Sequence, residues 1–368
     1  MFLSNTLSVA FKLGISGLLS VFLAFEIAKQ FGEHIVVRCL RGLIQQLPLR
    51  IRCLVAKTGV SFPVAISRSI ISLGMRPYGF QRDWISPPVE MNTWSGYWVF
   101  PNAKNHKRHM EHIEASKSDM VILYFHGGGF ALGTPTLYME SMIYMIERLQ
   151  EKHGICARIF TVDYRLSPEH IWPRAQEDCV KAYRYLLGLG VKPSKIIMAG
   201  DSAGGNLVST ATLLIRDQGL PLPRGHVLIS PWVTLEPHSP SYITNEKSDC
   251  ITREVVCERA PYAYLPQLLN LKGDERKKLL QNPRVSPLYA NFEQFCPTLV
   301  TYGGAEMFQH DIEALIGRLK DYHVEVQVLT RPETPHIWVI EPLMSPTYAM
   351  WKQDFNCLTD WCASRIEI

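Results

Sequence analysis

Seven short apolar runs constrain the fold more than any other feature of the chain. They are "YWVF" from Tyr97, "MVILYF" from Met120, "ARIFTVDY" from Ala157, "KIIMAG" from Lys195, "GHVLIS" from Gly225, "PTLVTYG" from Pro297 and "VEVQVLT" from Val324. Several lack the polar alternation of a strand with one wet face, so they read as strands covered on both sides. Between them lie helical patterns such as "RAQEDCVKAYRYLLG" and "AGGNLVSTATLLIRDQG". Strand–helix alternation over this length predicts an α/β protein with a mostly parallel central sheet and helices on both faces. Residues 233–294 break the rhythm with prolines and mixed helices and read as an excursion that supplies part of a lid.

Composition sets bounds on what such a sheet can serve. With 47% hydrophobic and 20% charged residues the chain can bury a sizeable core. A net charge of +4 is too small to argue for nucleic acid. Nine cysteines form an odd set with no C-x-x-C pair, and most sit in apolar surroundings, which suits buried thiols better than a disulfide framework. No metal-ligand spacing occurs among them.

Chemistry enters at "IIMAGDSAGGNLVST", where Gly200, Ser202 and Gly204 form G-x-S-x-G directly after a strand and at the opening of a helix. A sharp strand-to-helix turn crowds the backbone around the serine, so residues two before and two after it must be small. The same turn lifts the hydroxyl clear beside the N–H groups of a helix start. The stretch "MVILYFHGGGFALG" supplies a second part, a strand running into Gly127, Gly128 and Gly129. Glycines let the backbone approach a substrate carbonyl and aim N–H groups at it. The oxyanion-hole candidates are Gly127, Gly128, Gly129 and Ala203, and the amides of Gly128, Gly129 and Ala203 make three donors.

A serine hydroxyl needs a base and the base needs an orienting acid. Such chemistry needs neither a metal nor an organic cofactor. On this kind of turn the order is serine, acid, histidine, each on a loop after a later strand. Of the histidines beyond Ser202, only His336 follows the final strand-like run, in "RPETPHIW". The acid should follow "PTLVTYGG", where Glu306 lies just past the strand end. Asp311 falls where the next helix begins and is the second choice, better placed to charge the helix N-terminus.

The segments "HGGGF", "DYRLSPEHIWPRAQEDC", "GDSAGGN", "SPW" and "GGAEMFQHDIEALIGRL" run in one order across residues 94–340. Together they resemble the hormone-sensitive-lipase branch of the α/β-hydrolases, near the arylacetamide deacetylases and fungal steryl acetyl hydrolases. The resemblance implies an α/β-hydrolase fold with a helical lid. It also implies a serine carboxylesterase acting on a short acyl ester, acetyl above all, of a hydrophobic alcohol such as a sterol or terpenoid. The stretch from Asp163 through Tyr164 to Glu169 is then a structural brace. Glu306 departs from the aspartate of many members, and glutamate can make the same contact. Amidase or deacetylase action, acyl transfer, and a non-catalytic ligand-binding module stay open as alternatives.

The chain therefore divides into an apolar segment at 1–28, a helical lid region at 29–93 and a catalytic domain at 94–368. The run "LGISGLLSVFLAF" from Leu13 to Phe25 is uncharged but short of the roughly 20 residues that span a bilayer. Lys12 at its edge can lengthen it by reaching the interface. The segment reads as a membrane anchor or as a lid helix. Members of the resembled family that reside in the endoplasmic reticulum membrane favour the first, with sidedness left open.

Overall fold

A computed structural model of the protein describes residues 33–105, 115 and 117–366. The anchor-or-lid expectation for residues 1–28 lies outside the described residues. Three helices come first: α1 (Glu33–Gln46), α2 (Leu49–Val60) and α3 (Val64–Gly74). The sheet then begins with β1 (Val89–Glu90), β2 (Ser95–Val99) and β3 (Met120–Phe125), followed by α4 (Met139–His153) and β4 (Ala157–Asp163). Next come α5 (Arg174–Gly188), β5 (Ile196–Asp201), α6 (Ala203–Asp217) and β6 (Gly225–Ile229). Short helical turns and α7 (Gly273–Leu280) fill the excursion before β7 (Thr298–Gly303), α8 (Gln309–Asp321), β8 (Val326–Arg331) and α9 (Tyr348–Ser364).

The eight strands form one sheet in the order β1-β2-β4-β3-β5-β6-β7-β8. β1 and β2 run antiparallel to their neighbours, and every pair from β4 to β8 is parallel. All seven sequence-predicted strands are present. β1, two residues long, was not among them, because two residues carry no period.

β3 shows why the runs lack polar alternation. Val121, Leu123 and Phe125 point into one apolar core, which also contains Leu207 of α6, Cys179 of α5 and Leu315 of α8. Met120, Ile122 and Tyr124 point into a second core, with Ile146 of α4 and Phe355 of α9. Each face of the strand thus has its own helical cover. Because connections leave the parallel strands at one edge, the loops after β3, β5, β7 and β8 gather there.

α1 is fastened over that edge by the ion pair of Arg41 with Glu341 at 2.8 Å, and α2 and α3 by arginines that donate to backbone carbonyls. Arg52 is buried, and its guanidinium donates to the carbonyls of Leu47 (3.0 Å), Leu343 (2.7 Å), Ser345 (2.8 Å) and Pro346 (3.0 Å). Arg68 donates to Ala131 O and Ser167 O, each at 2.7 Å, and pairs with Glu169. Arg259, from the excursion, donates to the carbonyls of Ser61 and Phe62 at the α2–α3 turn. Among the described residues no helix is long and apolar enough to cross a membrane.

Replacing Arg52 by methionine keeps the bulk but leaves those carbonyls without their donor. Denaturant unfolding should show a loss of about 3 kcal/mol, and limited proteolysis should cut faster between residues 47 and 62 than within the sheet. Unchanged proteolysis at the cap would show that the guanidinium does not hold it.

Candidate active site

β5 ends at Asp201 and α6 begins at Ala203, so Ser202 alone makes the connection. Its backbone is driven to φ 53° and ψ −120°, a region a side chain rarely adopts. The turn is held from both sides: Ser202 N donates to Ile229 O at 2.9 Å and Trp232 N donates to Ser202 O at 2.9 Å. The flanking glycines are steric necessities. A Cβ on Gly204 would lie 1.9 Å from Phe125 O, and one on Gly200 would lie 2.6 Å from the Gly204 carbonyl carbon. Ala203 opens α6, where a helix leaves its first N–H groups without partners in the helix.

The glycine loop follows β3 and faces the same place. Gly128 has φ 114°, and a Cβ there would lie 2.3 Å from Leu132 O. Its carbonyl accepts from the amides of Ala131 and Leu132. Gly127 departs from expectation: its N–H donates to Asp201 Oδ1 at 2.8 Å and so is withdrawn from the oxyanion-hole set. The loop is braced where the resemblance put a brace. Tyr164 donates to His126 O at 2.6 Å and stacks on the His126 ring, and Ser167 N donates to Phe130 O at 2.9 Å.

Glu306 and His336 lie buried on the loops after β7 and β8. His336 Nδ1 is 3.6 Å from Glu306 Oε2, close enough for an ion pair and too far for a hydrogen bond. Glu306 Oε2 accepts instead from Ser230 Oγ at 2.6 Å and from Gly303 N at 3.3 Å. Ser230 Oγ also accepts from Ile337 N at 3.0 Å, which ties the two loops together. Asp311 sits in the first turn of α8, where its carboxylate accepts from Ser239, while Glu306 is the acid that faces His336. The remaining histidines after Ser202 stand elsewhere. His226 is buried in β6 against Thr212, and the His238 side chain is 78% exposed beside Glu236.

Sequence reasoning missed a second buried carboxylate. Asp249, in the excursion, accepts from His336 N (2.9 Å), Cys250 N (2.7 Å) and Met307 N (2.7 Å). It therefore staples the His336 loop to the residue after Glu306. No motif surrounds it in "KSDCIT"; only the fold brings its partners together. Asp201 was also passed over, although it precedes the serine. Its carboxylate accepts from Tyr124 (2.7 Å), Tyr138 (2.8 Å) and Gly127 N (2.8 Å).

Burial works against charge on the His336 ring, but the carboxylates of Glu306, Asp249 and Asp201 outweigh it and raise its pKa above the ordinary 6.5. Burial raises the pKa of Glu306, with His336 and Ser230 opposing the rise. Ser202, Gly128, Gly129 and His336 all line one cavity of about 530 Å³, whose other walls come mainly from apolar side chains of α1–α3 and the excursion. Among the described residues no cluster of three His, Cys, Asp or Glu side chains could hold a metal ion.

Residues 122–340 match a family model described as the alpha/beta hydrolase fold, more than half of the chain. The chain belongs to that family. An acetyl-hydrolase of Streptomyces hygroscopicus is 32% identical over 61% of this chain and 70% of its own length. An esterase of Acinetobacter venetianus is 32% identical over 59% of this chain and 67% of its own. The crystal structure of an esterase from the bacterial hormone-sensitive-lipase family superposes with a TM-score of 0.70 at 28% identity, covering 87% of this chain and 98% of that one. The protein is accordingly an α/β-hydrolase of the hormone-sensitive-lipase type.

A base at position 336 must be neutral to accept a proton, and its raised pKa sets the direction of the pH dependence. kcat/KM should fall as pH drops through a value above 6.5. Glu306→Gln should lower kcat by about 10⁴-fold, whereas Asp311→Asn changes it little. Asp249→Asn removes a charge that favours the protonated ring, so it should move the acid limb to lower pH. An unmoved limb in that variant would mean that Asp249 holds the loops without acting on the ring.

Proposed function

We propose that this carboxylic ester hydrolase removes a short acyl group, acetyl above all, from a hydrophobic alcohol of sterol or terpenoid size. The observation that carries the proposal is the cavity. It is about 530 Å³, apolar over most of its wall, and has Ser202, His336 and two glycines of the oxyanion loop on its surface. That volume lies in the range of sites that enclose a drug-sized ligand. The acetyl preference is supported by the similarity to the acetyl-hydrolase of Streptomyces hygroscopicus.

In this reading Ser202 Oγ attacks the acyl carbonyl while His336 takes its proton. Glu306 orients the ring and balances the imidazolium charge. The N–H groups of Gly128, Gly129 and Ala203 donate to the oxyanion, each worth about 3 kcal/mol in the transition state. Collapse of the tetrahedral intermediate breaks the ester C–O bond, and the departing alkoxide takes the proton from His336. Water then repeats the sequence on the acyl-serine, releasing the acid and restoring Ser202. The strained backbone at Ser202 supports the nucleophile role, since such geometry persists only where neighbours enforce it.

Ser202→Ala should abolish ester hydrolysis and fluorophosphonate labelling while the protein stays folded. Among substrates, acetates of sterol-sized alcohols should exceed acetates of small alcohols in kcat/KM by at least roughly tenfold, as expected for several buried methylenes. Preference for a long acyl chain on a small alcohol would overturn the assignment of the cavity to the alcohol.

We further propose that residues 1–28 attach the enzyme to a membrane, that of the endoplasmic reticulum. The uncharged run from Leu13 to Phe25 and the resemblance to anchored esterases support it. Full-length protein should pellet with membranes through high salt and carbonate, because apolar contact is not screened. Deletion of residues 1–28 should release protein that still hydrolyses a water-soluble ester. A freely soluble full-length protein whose truncation loses turnover would make the segment part of the lid.

A further inference from the structure

The cap over the cavity has a charge balance unlike the rest of the chain. From His34 to Arg82 there are eight lysines and arginines and no aspartate or glutamate, Glu33 at the start of α1 being the one acidic residue of α1–α3, against a net charge of +4 for the whole protein. The same helices carry large apolar side chains in water. Leu40, Leu43 and Leu47 on and just after α1 are 41%, 61% and 40% exposed. Ile51, Leu54 and Val55 on α2 are 43%, 58% and 46% exposed. Spacings of three, four and seven residues in the first set, and of three and four from Ile51 in the second, put each on one side of its helix, the pattern of a face that docks. Arg38 and Arg50 are exposed on the same two helices. Leu40 and Val55 also line the cavity, so the exposed apolar face runs without a break into the wall of the substrate site.

We propose that the outer face of α1 and α2 is a surface for anionic lipid, and that the ester enters the cavity from the lipid past Leu40 and Val55. The proposal rests on the reading that places ester chemistry at Ser202, and it goes beyond attachment by residues 1–28. An apolar stripe flanked by arginines and free of carboxylates is what an interfacial helix needs, with leucines in the acyl boundary and guanidinium groups at the phosphates. A second copy of the chain is the poorer occupant, because two such faces would bring arginines against arginines. A water-insoluble ester gains from this placement, since it need not leave the lipid to reach the serine.

The test uses the full chain and reads turnover rather than attachment, so it does not depend on residues 1–28. Two substrates are compared: p-nitrophenyl acetate in water, and a fluorogenic sterol-sized acetate dissolved in phosphatidylcholine vesicles with or without phosphatidylserine. Leu43 and Leu54 do not line the cavity. The Leu43→Glu/Leu54→Glu variant should therefore keep its rate on p-nitrophenyl acetate and lose roughly tenfold on the vesicle substrate. Phosphatidylserine should raise wild-type turnover in vesicles, and Arg38→Gln/Arg50→Gln should remove that gain. Equal vesicle rates in wild type and the leucine variant would overturn the proposal. So would a wild-type dimer that the leucine variant dissociates, or a lowered unfolding temperature showing that the chain itself covers the face. Wild-type protein inactive on p-nitrophenyl acetate would instead sink the ester reading itself.

Discussion

The carboxylate of Asp201 receives hydrogen bonds from Tyr124 at the end of β3, from Tyr138 beside α4, and from the amide of Gly127. Three elements meet at one buried charge, and Ser202 is the next residue. Because the turn at Ser202 has no slack, fixing Asp201 also fixes where the hydroxyl stands relative to the glycine loop. A buried carboxylate is costly unless its lone pairs are satisfied, so this site is stable only with all three donors in place. Burial raises the Asp201 pKa, with the two tyrosines and the Gly127 amide opposing the rise.

Around that centre the acidic groups divide their work. Glu306 faces the His336 ring, while Asp249 takes the His336 backbone and the amide of Met307. Ser230 lies between, donating to Glu306 and accepting from Ile337. Two loops that follow different strands are thus locked by short polar contacts that a one-residue shift in either would break. The T-shaped contact of the Phe308 and His336 rings, with centroids 5.1 Å apart, packs the ring from the side.

Much of this is legible in the amino-acid sequence. Parallel strands covered on both faces announce themselves as unbroken apolar runs, which is why β2 to β8 could be read off and β1 could not. Ser202 and His336 were legible because a turn without slack and a chain order leave few choices. Glu306 was legible from its distance past a strand end. Gly127 was misjudged because all three glycines look alike in sequence, and the direction of one N–H is decided by Asp201, 74 residues away. Asp249 was invisible for the same reason. Its three partners come from two loops and its own turn, and nothing in its neighbours in sequence marks it.

The cap is fastened in a way that has a consequence of its own. Among the described residues Arg52 and Arg259 donate to backbone carbonyls, and Arg68 takes two carbonyls besides Glu169. A carbonyl is present whatever side chain its residue carries. The apolar residues that face the substrate on α2 and α3, such as Val55 and Ile70, make none of these bonds, whereas on α1 Arg41 of the cavity wall pairs with the Glu341 side chain. Mutation can remodel the wall of the cavity step by step, enlarging it or narrowing it, while the roof stays on. A lineage built on this scaffold can change the alcohol it accepts without first losing its shape.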